Sequence, residues 1–112
     1  MDYIYKAKIV RVIDGDTLEM MVDLGFSVWI NQSLRLYGIN APETRTKDPV
    51  EKAAGLVSKQ WLQDQVSAAK DVQLKSISVD KYGGRFDGIL YLDGRDINKE
   101  MLDKGLAKPF MV

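Results

Sequence analysis

Strand-like segments surround a single long helical segment, and this order limits the fold more than any other feature of the sequence. Five segments are rich in β-branched and aromatic residues: 3–13, 17–23, 27–37, 71–79 and 85–92. Turn-forming residues separate them at 14–16, 24–26 and 81–84, and residues 38–48 form a loop. Runs with this punctuation predict strands, and the first three are expected to form a meander.

The helical segment begins at a clear N-terminal signal. Asp48 is placed to cap the helix, Pro49 needs no amide donor at the first helical position, and Glu51 lies at the capping-box position. Apolar residues then follow at spacings of three and four to about residue 67, which predicts a single buried stripe. The stripe consists of Val50, Ala53, Ala54, Val57 and Trp61.

The order of elements predicts the fold class. Asn98 is placed to cap a short last helix, and Gly105 suits its left-handed exit. Three strands, a helix, two strands and a helix are the order of a five-stranded OB-type Greek-key barrel, with one helix between strands 3 and 4 and a short C-terminal helix. We therefore predict a mainly β protein of the α+β class. The 112 residues have room for one domain, over 1–112.

Two absences limit the chemistry, because the chain contains 0 Cys and 0 His. They exclude disulfides, thiolate nucleophiles, Ser-His-Asp catalysis and imidazole or thiolate metal ligands. Catalysis must therefore use carboxylates, guanidinium, ammonium, hydroxyls or an oxygen-ligated hard cation such as Ca²⁺ or Mg²⁺.

The sequence contains no targeting or membrane signal. No apolar run approaches the roughly 18 residues that span a bilayer, and charged residues interrupt the N-terminal segment. We expect no membrane association and, by default, a cytoplasmic location, with a secreted mature form as the alternative. Nothing in the sequence signals an oligomer, so we expect a monomer.

A neutral total charge, from 16 basic and 16 acidic residues, conceals a divided distribution. Residues 11–23 hold one base and four acids, whereas residues 35–47 hold three bases and one acid. The acidic segment 11–23 can hold a cation while the basic segment 35–47 receives phosphate. A metal-assisted phosphodiesterase needs this arrangement of charge.

Each motif in these two segments also has an ordinary structural interpretation. The acidic turn at 14–16 is a common turn sequence, because Asp side chains bond nearby amides. Arg35 lies in an apolar strand and must reach the surface or pair with a carboxylate such as Glu43. Pro42 keeps Ala41 extended, and Glu43 is then a solvated loop residue.

Taken together, the motifs resemble the signature blocks of the staphylococcal nuclease-like (thermonuclease) family. The blocks occur in family order at 16–17, 35–43 and 80–85, and residues 105–108 are similar to the segment that closes the last barrel helix of the family. The resemblance extends from about residue 4 to residue 108. It implies an OB barrel and a Ca²⁺-dependent nuclease that hydrolyses phosphodiester bonds in single-stranded or frayed DNA and RNA and leaves 3′-phosphate ends.

The resemblance also implies a metal site. Asp16 matches the metal-binding aspartate of the family, and Asn40 occupies the position of a second one. Ala41 matches a residue that contributes its backbone carbonyl, and Thr17 is a minor candidate beside them. Carboxylate, amide and carbonyl oxygens are the ligand types that Ca²⁺ prefers.

The catalytic and substrate-binding roles follow from the same resemblance. Glu43 matches the general base that takes a proton from the attacking water. Arg35 and Arg85 match the two arginines that hold the scissile phosphate and stabilise the charge that develops on it. Lys81 and Tyr82 match residues that contact the nucleotide.

The sequence departs from the family pattern at three places. Asn40 lacks a negative charge, so we expect weaker Ca²⁺ binding or a preference for Mg²⁺ or another hard divalent cation. Gly84 is an extra residue before Arg85, and it displaces the guanidinium by up to about 3.3 Å if the chain is extended there. Residues 110–112 replace a tyrosine-bearing segment, and we expect the C-terminal helix of the family to be missing.

Three interpretations of function therefore remain open. The retained arginines and Glu43 favour a metal-dependent endonuclease. Asn40 and the extra Gly84 favour a catalytically impaired nuclease-like OB domain that binds nucleic acid or a protein partner. The third interpretation is a structural barrel in which Arg35 and Glu43 form a buried ion pair.

Overall fold

The computed structural model describes residues 3–79 and 85–110, which form a barrel of β-strands with two helices. The strands and helices, in chain order, are β1 (Tyr3–Asp14), β2 (Thr17–Asp23), β3 (Trp29–Leu36), β4 (Ile39–Asn40), α1 (Pro49–Ala68), β5 (Val72–Val79), β6 (Arg85–Leu92), β7 (Arg95–Asp96), α2 (Ile97–Asp103) and β8 (Lys108–Pro109). The long strands and both helices agree with the predicted order. The additional strands β4, β7 and β8 have two residues each, too few for a hydrophobic period to reveal them.

Five strands close the barrel in the order β3-β2-β1-β5-β6, because β3 also pairs with β6. The β3–β6 pair is parallel and the other four pairs are antiparallel. The short strands β4 and β8 form a separate antiparallel pair. This closed mixed barrel with two helices confirms the predicted OB-type α+β fold.

The core lies inside the barrel, where alternate residues of neighbouring strands meet. Its fully buried side chains include Leu18, Met20, Leu34, Leu36, Leu90 and Leu92. The residues between them on β2, β3 and β6 therefore face away from the core. β3 begins at Trp29 rather than at residue 27, because Phe26 and Ser27 have positive φ angles of 54° and 61° that a strand does not adopt.

Helix α1 has the predicted start but not the predicted buried face. The Asp48 carboxylate accepts hydrogen bonds from the amides of Val50 and Glu51 at 3.0 and 3.4 Å, so the cap is confirmed. The apolar stripe is wrong in its first four members, which are exposed (Val50 to 78% and Val57 to 61%), and only Trp61 packs against the core. The helix instead buries Leu62 and two small residues, Gly55 and Ser58.

Close approach of α1 to the barrel explains this reversal. The Ser58 hydroxyl donates to the Leu106 carbonyl at 2.6 Å, which requires a small polar side chain on the buried face. The exposed face with Val50 and Val57 and the buried face with Gly55 and Ser58 both follow helical spacing. A prediction from periodicity therefore chooses the face with the more apolar side chains. Neither helix of the described ranges 3–79 and 85–110 is long and apolar enough to cross a membrane.

Helix α2 begins at a different cap from the one predicted. The side chain of Asp96, not Asn98, accepts a bond from an amide of the first turn. Asn98 is a buried residue within the first turn of α2. Its side-chain nitrogen Nδ2 donates to the backbone carbonyls of Tyr37 and Gly88 at 2.9 and 3.0 Å. Its side-chain oxygen accepts from the amide of Leu90 at 3.1 Å. Asn98 is therefore a bridge between β6 and the end of β3.

The segment after α2 returns to the end of β3. Gly105, with φ 70°, provides the predicted left-handed exit of the helix. Lys108 then pairs with Asn40, and the amide of Phe110 donates to the carbonyl of Gly38 at 2.9 Å. This return places Phe110 beside the loop that carries the predicted catalytic residues.

Candidate active site

Outward-facing residues of neighbouring strands form a polar row on the outside of the barrel. Arg35 lies between the buried core residues Leu34 and Leu36, so its side chain faces out. Across the strands the row is formed by register partners: Asp14, Thr17, Arg35, Asp87 and Ser78. The adjacent row contains Ser33 and its partner Arg85. The two predicted phosphate-binding arginines therefore belong to neighbouring strands and to the same outer face.

Asp16 is buried in the turn between β1 and β2, and both its carboxylate oxygens are engaged. Oδ1 accepts a hydrogen bond from the Thr17 hydroxyl at 3.0 Å. Oδ2 accepts from the backbone amide of Ala41 at 2.9 Å. The carboxylate is thus fixed towards the segment that supplies the other predicted metal ligands.

Gly15 allows this turn to lie against its neighbours. A Cβ at Gly15 would lie 2.8 Å from the Cβ of Ser58 and 3.0 Å from the Cβ of Ala41. No side chain fits between these atoms without movement of α1 or of Ala41. The glycine of the Asp-Gly-Asp turn therefore serves close packing as well as turn formation.

The Arg35 guanidinium lies against two of the predicted metal ligands. Its Nη2 donates to Asn40 Oδ1 at 3.3 Å and lies 3.9 Å from Asp16 Oδ2. The side chain is 15% exposed, and Cζ lies 4.6 Å from the centre of the Phe110 ring. A cation–π contact and two oxygen partners thus hold the guanidinium in place.

Glu43 lies at the wall of a cleft of about 430 Å³. The cleft is lined by Asn40, Ala41, Pro42, Glu43, Glu51, Gly105, Leu106, Ala107 and Lys108. The Glu43 side chain is exposed, and it forms no hydrogen bond or ion pair with any residue in 3–79 or 85–110. The third interpretation, a buried Arg35–Glu43 ion pair, is therefore wrong: Arg35 does lie beside an acid, but that acid is Asp16.

The backbone of Glu43, in contrast to its side chain, is closely packed. A Cβ at Gly55 of α1 would lie 2.6 Å from the Glu43 carbonyl oxygen and 2.9 Å from that of Pro42. The next residue, Thr44, donates its hydroxyl to Asp14 Oδ1 at 2.6 Å. These contacts fix the direction from which the exposed carboxylate projects.

Sequence reasoning missed Gly55, although a signal was present. Glycine within a helix costs about 1 kcal/mol relative to alanine, so its occurrence there indicates a close packing contact. It also missed the contact of Phe110 with Arg35 and the burial of Asp87 on β6. An acidic residue in an alternating strand gives no sign that it is buried.

The remaining predicted site residues are only partly described. Arg85 is half-buried at the start of β6, opposite Ser33. The predicted nucleotide contacts Lys81 and Tyr82, and the extra residue Gly84, lie outside the described residues.

The donors around Asp16 fit a hard cation. The predicted ligands are all oxygens: the carboxylate of Asp16, the amide of Asn40, the hydroxyl of Thr17 and the carbonyl of Ala41, a residue whose own amide is bonded to Asp16. The Arg35 guanidinium lies against two of them, so a divalent cation that used these oxygens would have to displace it. Within residues 3–79 and 85–110 no three acidic side chains are grouped around a common point, and Asp16 is the one carboxylate among these donors.

The closed barrel and its two helices define an OB-fold domain of the α+β class. A family model described as staphylococcal nuclease homologue matches residues 33–112, which is more than half of the chain. The chain therefore belongs to the staphylococcal nuclease homologue family. The matched range includes Arg35, Asn40, Glu43 and Arg85, whereas Asp16 precedes it.

Proposed function

We propose that the protein is a Ca²⁺-dependent nuclease that hydrolyses phosphodiester bonds of DNA, RNA or both. One observation carries the proposal: the outward-facing Arg35 lies against the oxygen donors Asp16 and Asn40, while Glu43 lies at the adjacent cleft and is bonded to no other residue that the structure describes. Phosphate binding, cation binding and proton removal are thereby assigned to neighbouring groups.

Glu43 is the general base of the proposed reaction. Its carboxylate is exposed to solvent and accepts the proton of the attacking water, while the contact with Gly55 fixes its backbone. An ion pair with Arg35 would compete with that role. The absence of this pair among the described residues supports the assignment.

Arg35 and Arg85 hold the scissile phosphate between neighbouring strands. A guanidinium presents a planar set of donors that matches two phosphate oxygens, which a lysine does not. Charge that develops on those oxygens during the displacement is stabilised by the same donors. Lys81 and Tyr82 are proposed to contact the nucleotide, and single-stranded or frayed ends are the expected substrates.

Asp16, Asn40, Thr17 and the Ala41 carbonyl would hold the divalent cation. When bound, a hard cation neutralises phosphate charge and orients the phosphate for in-line attack. Asn40 leaves this donor set with one carboxylate, so Mg²⁺ or another hard divalent cation is an alternative to Ca²⁺.

The test is a cleavage assay on single-stranded DNA with and without a chelator. We expect cleavage to require the divalent cation and Glu43→Gln to slow it on the order of a hundredfold to ten-thousandfold. Glu51→Gln is the matched control, because Glu51 lines the same cleft and has no proposed role. Chelator-insensitive cleavage, or equal rates for wild type and Glu43→Gln, would contradict the proposal.

A second candidate is a nuclease-like OB domain that binds nucleic acid or a protein partner without cutting. The observation in its favour is the single carboxylate among the predicted metal ligands, with Arg35 already lying against it. This candidate predicts cation-independent binding of single-stranded DNA, measured by fluorescence anisotropy, with no cleavage in the assay above.

A further inference from the structure

Asp87 on β6 is a buried acid whose hydrogen bonding is incomplete. The residue is 7% exposed, and its Oδ2 accepts from the Ser78 hydroxyl at 3.3 Å. Its Oδ1 is buried and accepts no hydrogen bond from any group within residues 3–79 and 85–110. A buried carboxylate oxygen without a donor is unfavourable, so it requires an explanation such as a partner that arrives in another state.

The side chain of Asp87 lies on the same face of the barrel as Arg35. The adjacent Gly88 faces the core, because a Cβ there would lie 2.6 Å from Leu74 Cδ1 and 2.9 Å from Leu34 Cδ1. Successive strand residues face opposite sides, so Asp87 faces outwards. Asp87 is also the register partner of Arg35 in the parallel β3–β6 pair, at an interstrand separation of about 4.8 Å.

Arg35 therefore has two acidic neighbours and contacts one of them. Its Nη2 lies 3.9 Å from Asp16 Oδ2, whereas no ion pair joins Arg35 to Asp87. Arg35 also donates to Asn40 Oδ1 at 3.3 Å. Both oxygens that it contacts are proposed cation ligands, so the guanidinium and a divalent cation compete for the same atoms and repel each other.

We propose that Asp87 is a positioning residue for Arg35: it receives the guanidinium when a cation occupies the Asp16 and Asn40 oxygens. This inference rests on the proposed function, because it requires a cation at those ligands. The exchange gives Asp87 Oδ1 its missing donor and gives Arg35 a new carboxylate partner. It also keeps the guanidinium on the outer face, between the cation and Arg85, where a phosphate would bind.

A double-mutant cycle on Ca²⁺ affinity, measured by calorimetry, tests the exchange. Asp87→Asn should weaken Ca²⁺ binding about tenfold, because the displaced guanidinium loses a charged partner. In an Arg35→Gln background the same substitution should have little effect, since nothing needs to be displaced. Asp64→Asn, which removes the same charge from the exposed face of α1, is the matched control and should leave the affinity unchanged.

Each other outcome of the cycle has a definite meaning. An unchanged affinity for Asp87→Asn, or an equal loss with and without Arg35, would overturn the role of Asp87 and leave the proposed nuclease intact. If the wild type bound no Ca²⁺, Mg²⁺ or Mn²⁺, the proposed function itself would fail and this inference with it.

A crystal structure of the wild type with Ca²⁺ supplies a measurement that needs no variant. We expect an Arg35 nitrogen within about 4 Å of an Asp87 oxygen and away from Asn40. A guanidinium that remains on Asn40 beside the bound cation would overturn the exchange.

Discussion

The Asp16 side and the Glu43 side of the candidate site are built in opposite ways. Asp16 is buried, with its carboxylate oxygens bonded to Thr17 and Ala41 and approached by Arg35. Glu43 has a closely packed backbone and an exposed carboxylate that is not bonded to any described residue. On the proposed function, ligand binding on the Asp16 side would therefore be an exchange of partners, whereas on the Glu43 side it would be an addition.

Burial is the physical cause of this difference. A buried carboxylate must find donors inside the protein, because leaving it without them is costly. An exposed carboxylate is solvated by water and can remain unpaired until substrate arrives. The four predictions that follow test one side or the other, from the largest expected effect to the smallest.

Arg35→Lys tests whether the guanidinium does more than provide charge. Lysine retains the positive charge but lacks the planar set of donors, so we expect the cleavage rate to fall about a hundredfold to a thousandfold. Arg45→Lys, at an exposed position in the Glu43 loop, is the control and should cleave normally. A rate near that of the wild type for Arg35→Lys would show that the geometry of the guanidinium is not used.

Gly55→Ala tests the packing that positions Glu43. Alanine normally stabilises a helix by about 1 kcal/mol relative to glycine. Here the added Cβ would lie 2.6 Å from the Glu43 carbonyl oxygen, so we expect the free energy of unfolding to decrease by about 1–3 kcal/mol and activity to fall as Glu43 moves.

Urea unfolding and the cleavage assay measure the two effects of Gly55→Ala. Ala54→Gly, on the exposed face of α1, is the control: it should lower stability by about 1 kcal/mol without a change in activity. If Gly55→Ala instead raised the free energy of unfolding by about 1 kcal/mol, as alanine ordinarily does in a helix, the close contact would be contradicted.

Asn40→Asp tests the metal side of the site. The added carboxylate should raise Ca²⁺ affinity by about tenfold, but it also strengthens the bond to Arg35 at 3.3 Å, which limits the gain. Calorimetry measures the change, and Gln63→Glu adds the same charge on the exposed face of α1 as a control. An unchanged affinity would mean that position 40 is not a ligand.

Phe110→Ala tests the contact that holds Arg35 on the Asp16 side. Loss of the cation–π contact at 4.6 Å should lower the free energy of unfolding by about 0.5–1 kcal/mol. Phe26, which is fully exposed, provides the matched control, and Phe26→Ala should leave stability unchanged. If the two substitutions changed the free energy of unfolding equally, the contact of Phe110 with Arg35 would contribute nothing to stability.

Local sequence signals predicted most of the fold. Alternating apolar residues located the five barrel strands, and the Asp48 cap located the start of α1. The buried face of α1 could not be predicted, because close packing on Gly55 and Ser58 selected it instead of hydrophobicity. The observed role of Asn98 could not be predicted either, because its three bonds are to residues outside its own helix.

The composition of the candidate site was more predictable than its pairing. The resemblance of the sequence blocks to the family implies Asp16, Arg35 and Glu43 as candidate site residues. That Arg35 lies against Asp16 instead of Glu43 depends on strand register and on the return of Phe110, which no local pattern encodes. The burial of Asp87 likewise depends on its position in the closed barrel.

The most direct test of the central claim is the single-turnover cleavage rate of Glu43→Gln, measured beside its Ca²⁺ affinity. If Glu43 is the base, the rate should fall on the order of a hundredfold to ten-thousandfold, while Ca²⁺ affinity and thermal stability remain those of the wild type. Cleavage at the wild-type rate by a folded, Ca²⁺-loaded Glu43→Gln variant would contradict the account.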